Sequence, residues 1–181
     1  MSQLQGGVEI KQVTQDMQAH IQLIINLVSA CKAQRILELG TDVGDSTRIL
    51  SAALKGTGGK LWTVDVKQVE WDWRGLGNVE ALVGSSLDFI PDRQIDLLFI
   101  DDDHSYPHVL HELVKFGPCV KPGGFICLHD VLNKEHGPAV MRSIMEYCEP
   151  LKWSWVMNPG SHGLAVIQVP PAAQAIVGSK P

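Results

Sequence analysis

The stretch Gln34 to Leu54, QRILELGTDVGDSTRILSAAL, decides how this chain folds. Arg35-Ile36-Leu37-Glu38-Leu39 is a short apolar run bounded by turn residues, the pattern of a strand buried in a parallel sheet. Gly40 and Gly44 follow. Asp45, Ser46 and Thr47 then supply helix-capping side chains, before Ile49, Leu50, Ala53 and Leu54 repeat at helical spacing. The pattern predicts a strand, a glycine-bearing turn and a helix whose unpaired N–H groups face the turn. Glycine has no Cβ to keep a ligand away from the backbone, so a ligand with a negative or carboxylate group is expected there. The dinucleotide fingerprint G-x-G-x-x-G seats a pyrophosphate. Here the spacing is E-x-G-x-x-x-G-x-S, and Glu38 at the strand end would repel a pyrophosphate but suit an ammonium group. An ordinary βα turn without a ligand is the other reading of these residues alone.

Working outward, Leu61 to Val66 reads as a second strand that places Asp65 27 residues after Glu38. Ligands of open α/β sheets sit beyond the carboxyl ends of the strands, where Asp65 would accept hydrogen bonds from two ribose hydroxyls or simply be solvated. Val79 to Val83 is a third strand, and Gly84-Ser85-Ser86 after it suits an adenine edge or a helix cap. Ile95 to Ile100, apolar but for Asp96, reads as a strand running into Asp101-Asp102-Asp103-His104-Ser105-Tyr106. Three adjacent carboxylates repel one another unless water, cations or a cationic ligand neutralise them.

Ser105 and Pro107 start a helix with Val109, Leu110, Leu113 and Val114 on its buried face, and Pro118 ends it. Lys121-Pro122-Gly123-Gly124 reads as a turn, and Phe125 to Leu128 as a fifth strand ending in His129-Asp130. A helix over Pro138 to Cys148 follows, then strands Lys152 to Met157 and Gly163 to Val169 joined as a hairpin. Upstream, Val13, Met17, Ile21, Ile24, Val28 and Cys31 recur at steps of three and four, predicting one amphipathic helix over residues 9–32. Residues 1–7 are expected to be mobile and the tail 170–181 disordered. Trp71 and Trp73 form a lid or pack on the sheet edge. The sum is an α/β fold in a single domain, 1–169: a doubly wound, mostly parallel sheet with helices on both faces and a C-terminal antiparallel hairpin.

A chain of 181 residues suits one domain, and 45% hydrophobic with 19% charged residues is ordinary for a soluble protein. There is no apolar run of eighteen, and the N-terminus lacks a signal-peptide core, so no membrane partner is expected. A net charge of −5 without a basic cluster argues against nucleic acid. Cys31, Cys119, Cys127 and Cys148 lack close pairing and read as reduced core cysteines of a cytoplasmic protein.

Over residues 34–169 the chain resembles the class I S-adenosylmethionine-dependent methyltransferases. Within them it is similar to the catechol and caffeoyl-coenzyme A O-methyltransferases and to the sugar and antibiotic O-methyltransferases with a D-x-D-H-S-Y motif. The resemblance implies S-adenosylmethionine bound by Glu38, Gly40, Thr41, Gly44, Ser46, Asp65, Val66, Ser85, Ser86, Asp101 and Asp103. It implies catalysis by Asp101, His104 and His129, with His104 as the base, and a divalent cation on Asp101, His129 and Asp130. His129 and Asp130 stand where the metal-dependent members carry Asp-Asn. Imidazole suits zinc, iron, nickel or copper better than magnesium, so the cation and its identity stay open. His104, His108 and His111 share a helix face, but packing explains them better than a metal. His136 and His162 fall in loops near the strand ends. The expected activity is methyl transfer to a small-molecule hydroxyl, by a protein that is a homodimer or a monomer. The alternatives are a metal-independent methyltransferase acting on another nucleophile, a non-catalytic adenosylmethionine-binding module and, more distantly, a nicotinamide enzyme.

Overall fold

Side chains alternating along five apolar strands hold a central sheet between two helical layers. The computed structural model describes residues 13–68, 76–91 and 94–171. The strands are β1 (Arg35–Leu39), β2 (Lys60–Asp65), β3 (Val79–Val83), β4 (Ile95–Ile100), β5 (Val120–His129), β6 (Trp155–Asn158) and β7 (Leu164–Gln168). They form one sheet in the order β3-β2-β1-β4-β5-β7-β6. β1 to β5 pair in parallel, and β7 runs antiparallel between β5 and β6. The helices are α1 (Gln15–Gln18), α2 (Ile21–Ala30), α3 (Asp45–Lys55), α4 (Tyr106–Phe116) and α5 (Gly137–Leu151).

The period-two alternation of a strand fixes which layer each residue feeds. On β4, Leu98 and Ile100 join Val109, Leu113 and Phe116 of α4 and Val140 and Ile144 of α5. Leu97 and Phe99 turn the other way, onto Ile24 and Val28 of α2 and Ile49, Leu50 and Leu54 of α3. The doubly wound sheet with a C-terminal hairpin is present as the sequence predicts.

Several boundaries differ from expectation, among them the first strand of the hairpin, which starts at Trp155 and not at Lys152. The single helix over 9–32 is two helices, broken at Ala19 and His20, because Thr14 N donates to Asp45 Oδ2 at 2.8 Å and Asp16 packs against the strand ends. Those tertiary contacts turn the first helix out of line, overriding a continuous apolar period. The Lys121 to Gly124 turn lies inside β5, as an irregularity between the pairs Ile95–Val120 and Leu97–Phe125. α5 carries Pro150 in its last turn and ends at Leu151, where Lys152 takes a left-handed conformation at φ 54°. The Trp71 and Trp73 loop, residues 1–7 and most of the C-terminal tail lie outside the described residues.

The strand order reverses between β1 and β4, and a crevice opens beyond their carboxyl ends. At the opposite end Asp96 clamps the same pair of strands. Its Oδ2 accepts from Gln34 N at 2.6 Å and Arg35 N at 2.7 Å, while Oδ1 meets Lys121 Nζ at 2.6 Å. Asp96→Ala would strand two backbone donors and one ammonium, and should cost about 2–3 kcal/mol in urea unfolding. A loss below about 0.5 kcal/mol would show that water replaces the carboxylate without penalty.

Candidate active site

The crevice is a cavity of about 1010 Å³, at the upper end of the ~300–1,000 Å³ typical of small-molecule sites. The glycine turn forms its floor. Gly40 has φ +90°, and a Cβ there would run into the Asp101 carbonyl, so only glycine lets the end of β1 pass the end of β4. Gly44 caps α3 at φ 77°. Thr41 and Ser46 line the cavity and Thr41 Oγ1 lies 2.6 Å from Thr63 Oγ1.

Asp65 holds the turn in shape. Its Oδ2 accepts from Thr41 N and Asp42 N, each at 3.0 Å, and Oδ1 accepts from Lys67 N at 2.8 Å. Burial pushes the carboxyl up, but these backbone N–H groups outweigh it and keep Asp65 below its ordinary value. A carboxylate has about four acceptor positions, so room is left for a ligand hydroxyl. Val66 stands in the wall with its side chain largely exposed.

Two expected contacts fall elsewhere. Glu38 is fully buried behind the turn, outside the cavity wall, because its strand position points it at α3. Its Oε2 accepts from Thr47 Oγ1 at 2.6 Å. Ser85 turns back to accept from Leu87 N at 3.2 Å, capping a short 3₁₀ turn, and Ser86 lines the cavity instead. Ser86 Oγ lies 3.1 Å from His108 Nε2, which also lies 3.3 Å from Asp102 Oδ2 and from Glu112 Oε1. Burial foremost, then the Asp102 charge, pushes the Glu112 carboxyl well up, so it keeps its proton. Asp103 lines the cavity while its Oδ1 accepts from Ser105 N at 2.8 Å.

Beyond β4 and β5 the acids and histidines interlock. Asp101 Oδ1 lies 3.3 Å from His104 Nε2 and 3.2 Å from His129 Nδ1. His104 Nε2 is also 3.3 Å from Asp130 Oδ2, and its ring stacks on His136 at 5.0 Å. Burial would raise the Asp101 carboxyl, but hydrogen bonds from His104 and His129 prevail and hold it at about 2. Burial would lower both histidines, yet their carboxylate neighbours, Asp101 first, raise them. Asp101, His104 and Asp130 bring ligand-capable atoms within 4.8 Å of one another. His129 stands differently from the expected ligand, its Nδ1 being engaged with Asp101.

The sequence places the N-terminal amphipathic segment against the sheet or over the cofactor mouth, without singling out the residues that form a wall there. Thr14, Asp16 and Met17 line the cavity, Asp45 anchors Thr14, and His162 Nδ1 lies 3.2 Å from Asp16 Oδ2 and 3.3 Å from Asp130 Oδ1. The only signal was the placing of Asp16 and His20, polar residues four apart inside an apolar helical pattern.

Glu38 also makes a thermodynamic statement. Burial pushes its carboxyl up to about 7, with the hydroxyls of Ser46, Thr47 and Thr63 only partly offsetting it. The folded value lies above the unfolded one, so its stabilisation is complete below about pH 4.5 and is lost as pH rises through 7. Glu38→Gln removes that titration. In urea unfolding the variant should gain on the wild type between about pH 5 and pH 8. A constant difference over that range would show that Glu38 does not titrate there.

Comparison with curated proteins finds no match. Among solved structures, the chain is 21% identical to the O-methyltransferase TomG from Streptomyces achromogenes, involved in tomaymycin synthesis and solved with SAM, at TM-score 0.63 over 86% of this chain and 87% of that one. It is 22% identical to an O-methyltransferase from Bacillus cereus in complex with SAH, at TM-score 0.65 over 87% and 82%. The SAH-bound methyltransferase PaMTH1 of Podospora anserina is 17% identical at TM-score 0.63, over 83% and 77%. These likenesses establish the fold. A family model described as a methyltransferase domain matches residues 37–131, from β1 through the end of β5. The chain belongs to the methyltransferase-domain family.

Proposed function

We propose that this chain is an S-adenosylmethionine-dependent O-methyltransferase acting on a small molecule. The observation that carries the reading is the meeting, in one cavity, of the Gly40 turn, Asp65 and the Asp101–His104–Asp130 corner. The donor set fits the cofactor. Asp65 keeps acceptor capacity for ribose hydroxyls, and Asp102 lines the cavity, its Oδ2 3.3 Å from His108 Nε2, as an acceptor suited to an adenine amino group. Asp45, Asp101 and Asp103 give the wall the negative charge that an ammonium and a sulfonium need. TomG was solved with SAM and the Bacillus cereus enzyme with SAH, which supports the same ligand here.

S-adenosylmethionine supplies a sulfonium methyl that an acceptor oxygen can take by direct displacement. The protein's task is to align the acceptor, a proximity contribution, and to remove its proton. Neutral His104 takes that proton, and the carboxylates of Asp101 and Asp130, each 3.3 Å from its Nε2, stabilise the resulting imidazolium. A divalent cation would be held by Asp101 and Asp130 with His104 or His129, and would acidify the acceptor hydroxyl. The existing His104–Asp101 pair favours a metal-independent version of the same reaction, and activity surviving exhaustive chelation would select it.

Asp65→Ala should weaken SAH binding about 10–100-fold in calorimetry, as expected for a charge-assisted bond of ~1.5–3 kcal/mol. Unchanged affinity in the folded variant would remove Asp65 from the ribose site. Because His104 is raised above 6.5, turnover of an acceptor found by screening phenols and sugars should climb with pH through a midpoint above 6.5. His104→Ala should lower kcat by ~10²–10⁴ and abolish that limb while sparing SAH affinity. A retained limb would assign the base elsewhere.

A further inference from the structure

Beside the methyl-transfer corner, on the side of the N-terminal helices, lies a second cluster that shares only His129 with it. Asp16, His20 and His129 each offer one ligand atom, and these atoms lie within 4.8 Å of one another. His20 sits at the break between α1 and α2 and is completely buried. Neither of its ring nitrogens has a hydrogen-bond partner among the described residues. A buried imidazole with both nitrogens unpaired is costly to fold and points to a bound partner.

The orientation of His129 says which kind of partner. Its Nδ1 lies 3.2 Å from Asp101 Oδ1, while its Nε2 faces the opposite way, buried, without a hydrogen bond among the described residues and 3.4 Å from Asp16 Oδ2. A histidine that directs one nitrogen at a carboxylate and leaves the other bare is the arrangement that orients metal ligands. Two donors about 3.4 Å apart also match neighbouring ligands of a tetrahedral ion with bonds of ~2.0–2.1 Å. His20 closes the third side, its ring edge-to-face with His129 at 5.4 Å between centroids. His162, half-exposed, has Nδ1 3.2 Å from Asp16 Oδ2 and can supply a fourth donor.

We infer that Asp16, His20 and His129 form a binding site for a transition-metal ion of the zinc and cobalt class. Two imidazoles and one carboxylate are the donors such ions prefer, whereas magnesium and calcium seek oxygen. The site is distinct from any cation on Asp101 and Asp130, because His129 presents Nε2 to one and Nδ1 to the other. It ties the α1–α2 turn to the end of β5 and so secures the wall formed by Thr14, Asp16 and Met17. The inference does not depend on the methyl-transfer reading.

The test is titration of the chelator-stripped full chain with Co²⁺, followed by visible ligand-field absorption, with Zn²⁺ as competitor. The expected result is one ion per chain, with affinity lowered at least about tenfold by His20→Gln and by Asp16→Asn. Asp101→Asn, which alters the orienting partner of His129 and leaves Asp16 and His20 in place, should lower it about 10–100-fold. Asp130→Asn should leave the spectrum in place. Zn²⁺ should raise the melting temperature of the wild type and not of His20→Gln. Absence of binding, binding indifferent to His20→Gln and Asp16→Asn, or loss of binding with Asp130→Asn instead, would each overturn the site. If His20→Gln does not fold, Asp16→Asn decides alone, since that carboxylate is partly exposed and outside the core.

Discussion

The approach of Gly40 to the Asp101 backbone is the constraint on which the rest depends. β1 and β4 lie side by side where the strand order reverses, and Asp101 N donates to Leu39 O at 2.8 Å just beyond their last pair. Any side chain at position 40 would push the two strand ends apart. With glycine there, the α3 turn and the acidic run after β4 face each other across one cavity. Asp65 then holds that turn by accepting from its backbone N–H groups, and Asp45 ties Thr14 of the N-terminal segment to it. The close contact is thus a packing requirement first, and ligand access follows from it.

The cavity holds a surplus of carboxylates, and the chain manages them by different means. Asp65 and Asp103 are satisfied by backbone N–H groups, Asp101 and Asp130 by histidines, and Glu112 by keeping its proton. Only the second method leaves charge that responds to a ligand near neutral pH, since imidazoles titrate there. That is a physical reason for histidines to gather at the end of β5 while the acids of the glycine turn carry none.

Most of the sheet could be read in the sequence because its signals are local. Ile95 to Ile100 is apolar but for Asp96 and is buried throughout, and Leu39-Gly40 marks the end of β1 directly. The site was legible only in part. Glu38 stands one residue inside the end of β1 and Asp65 ends β2, and one points at α3 and the other at the cavity, a difference of strand phase against neighbours far away in sequence. Ser85 and Ser86 are adjacent and identical, and the 3₁₀ turn decides which reaches the cavity. The break at His20 was hidden because the apolar series from Val13 to Cys31 keeps its phase across it. What bends the chain there is Asp45, 31 positions from Thr14. The two nitrogens of His129 have no sequence signature at all.

α1 spans only four residues, far short of the length at which a helix sustains itself in water. It persists through tethers to Asp45, His129 and His162 rather than through its own hydrogen bonds. Such a segment belongs to the low-energy end of local opening, and its amides would exchange with solvent well before those of β1 or β4. The rim can therefore melt while the sheet stays folded, giving a bulky molecule a way in that a rigid crevice would refuse.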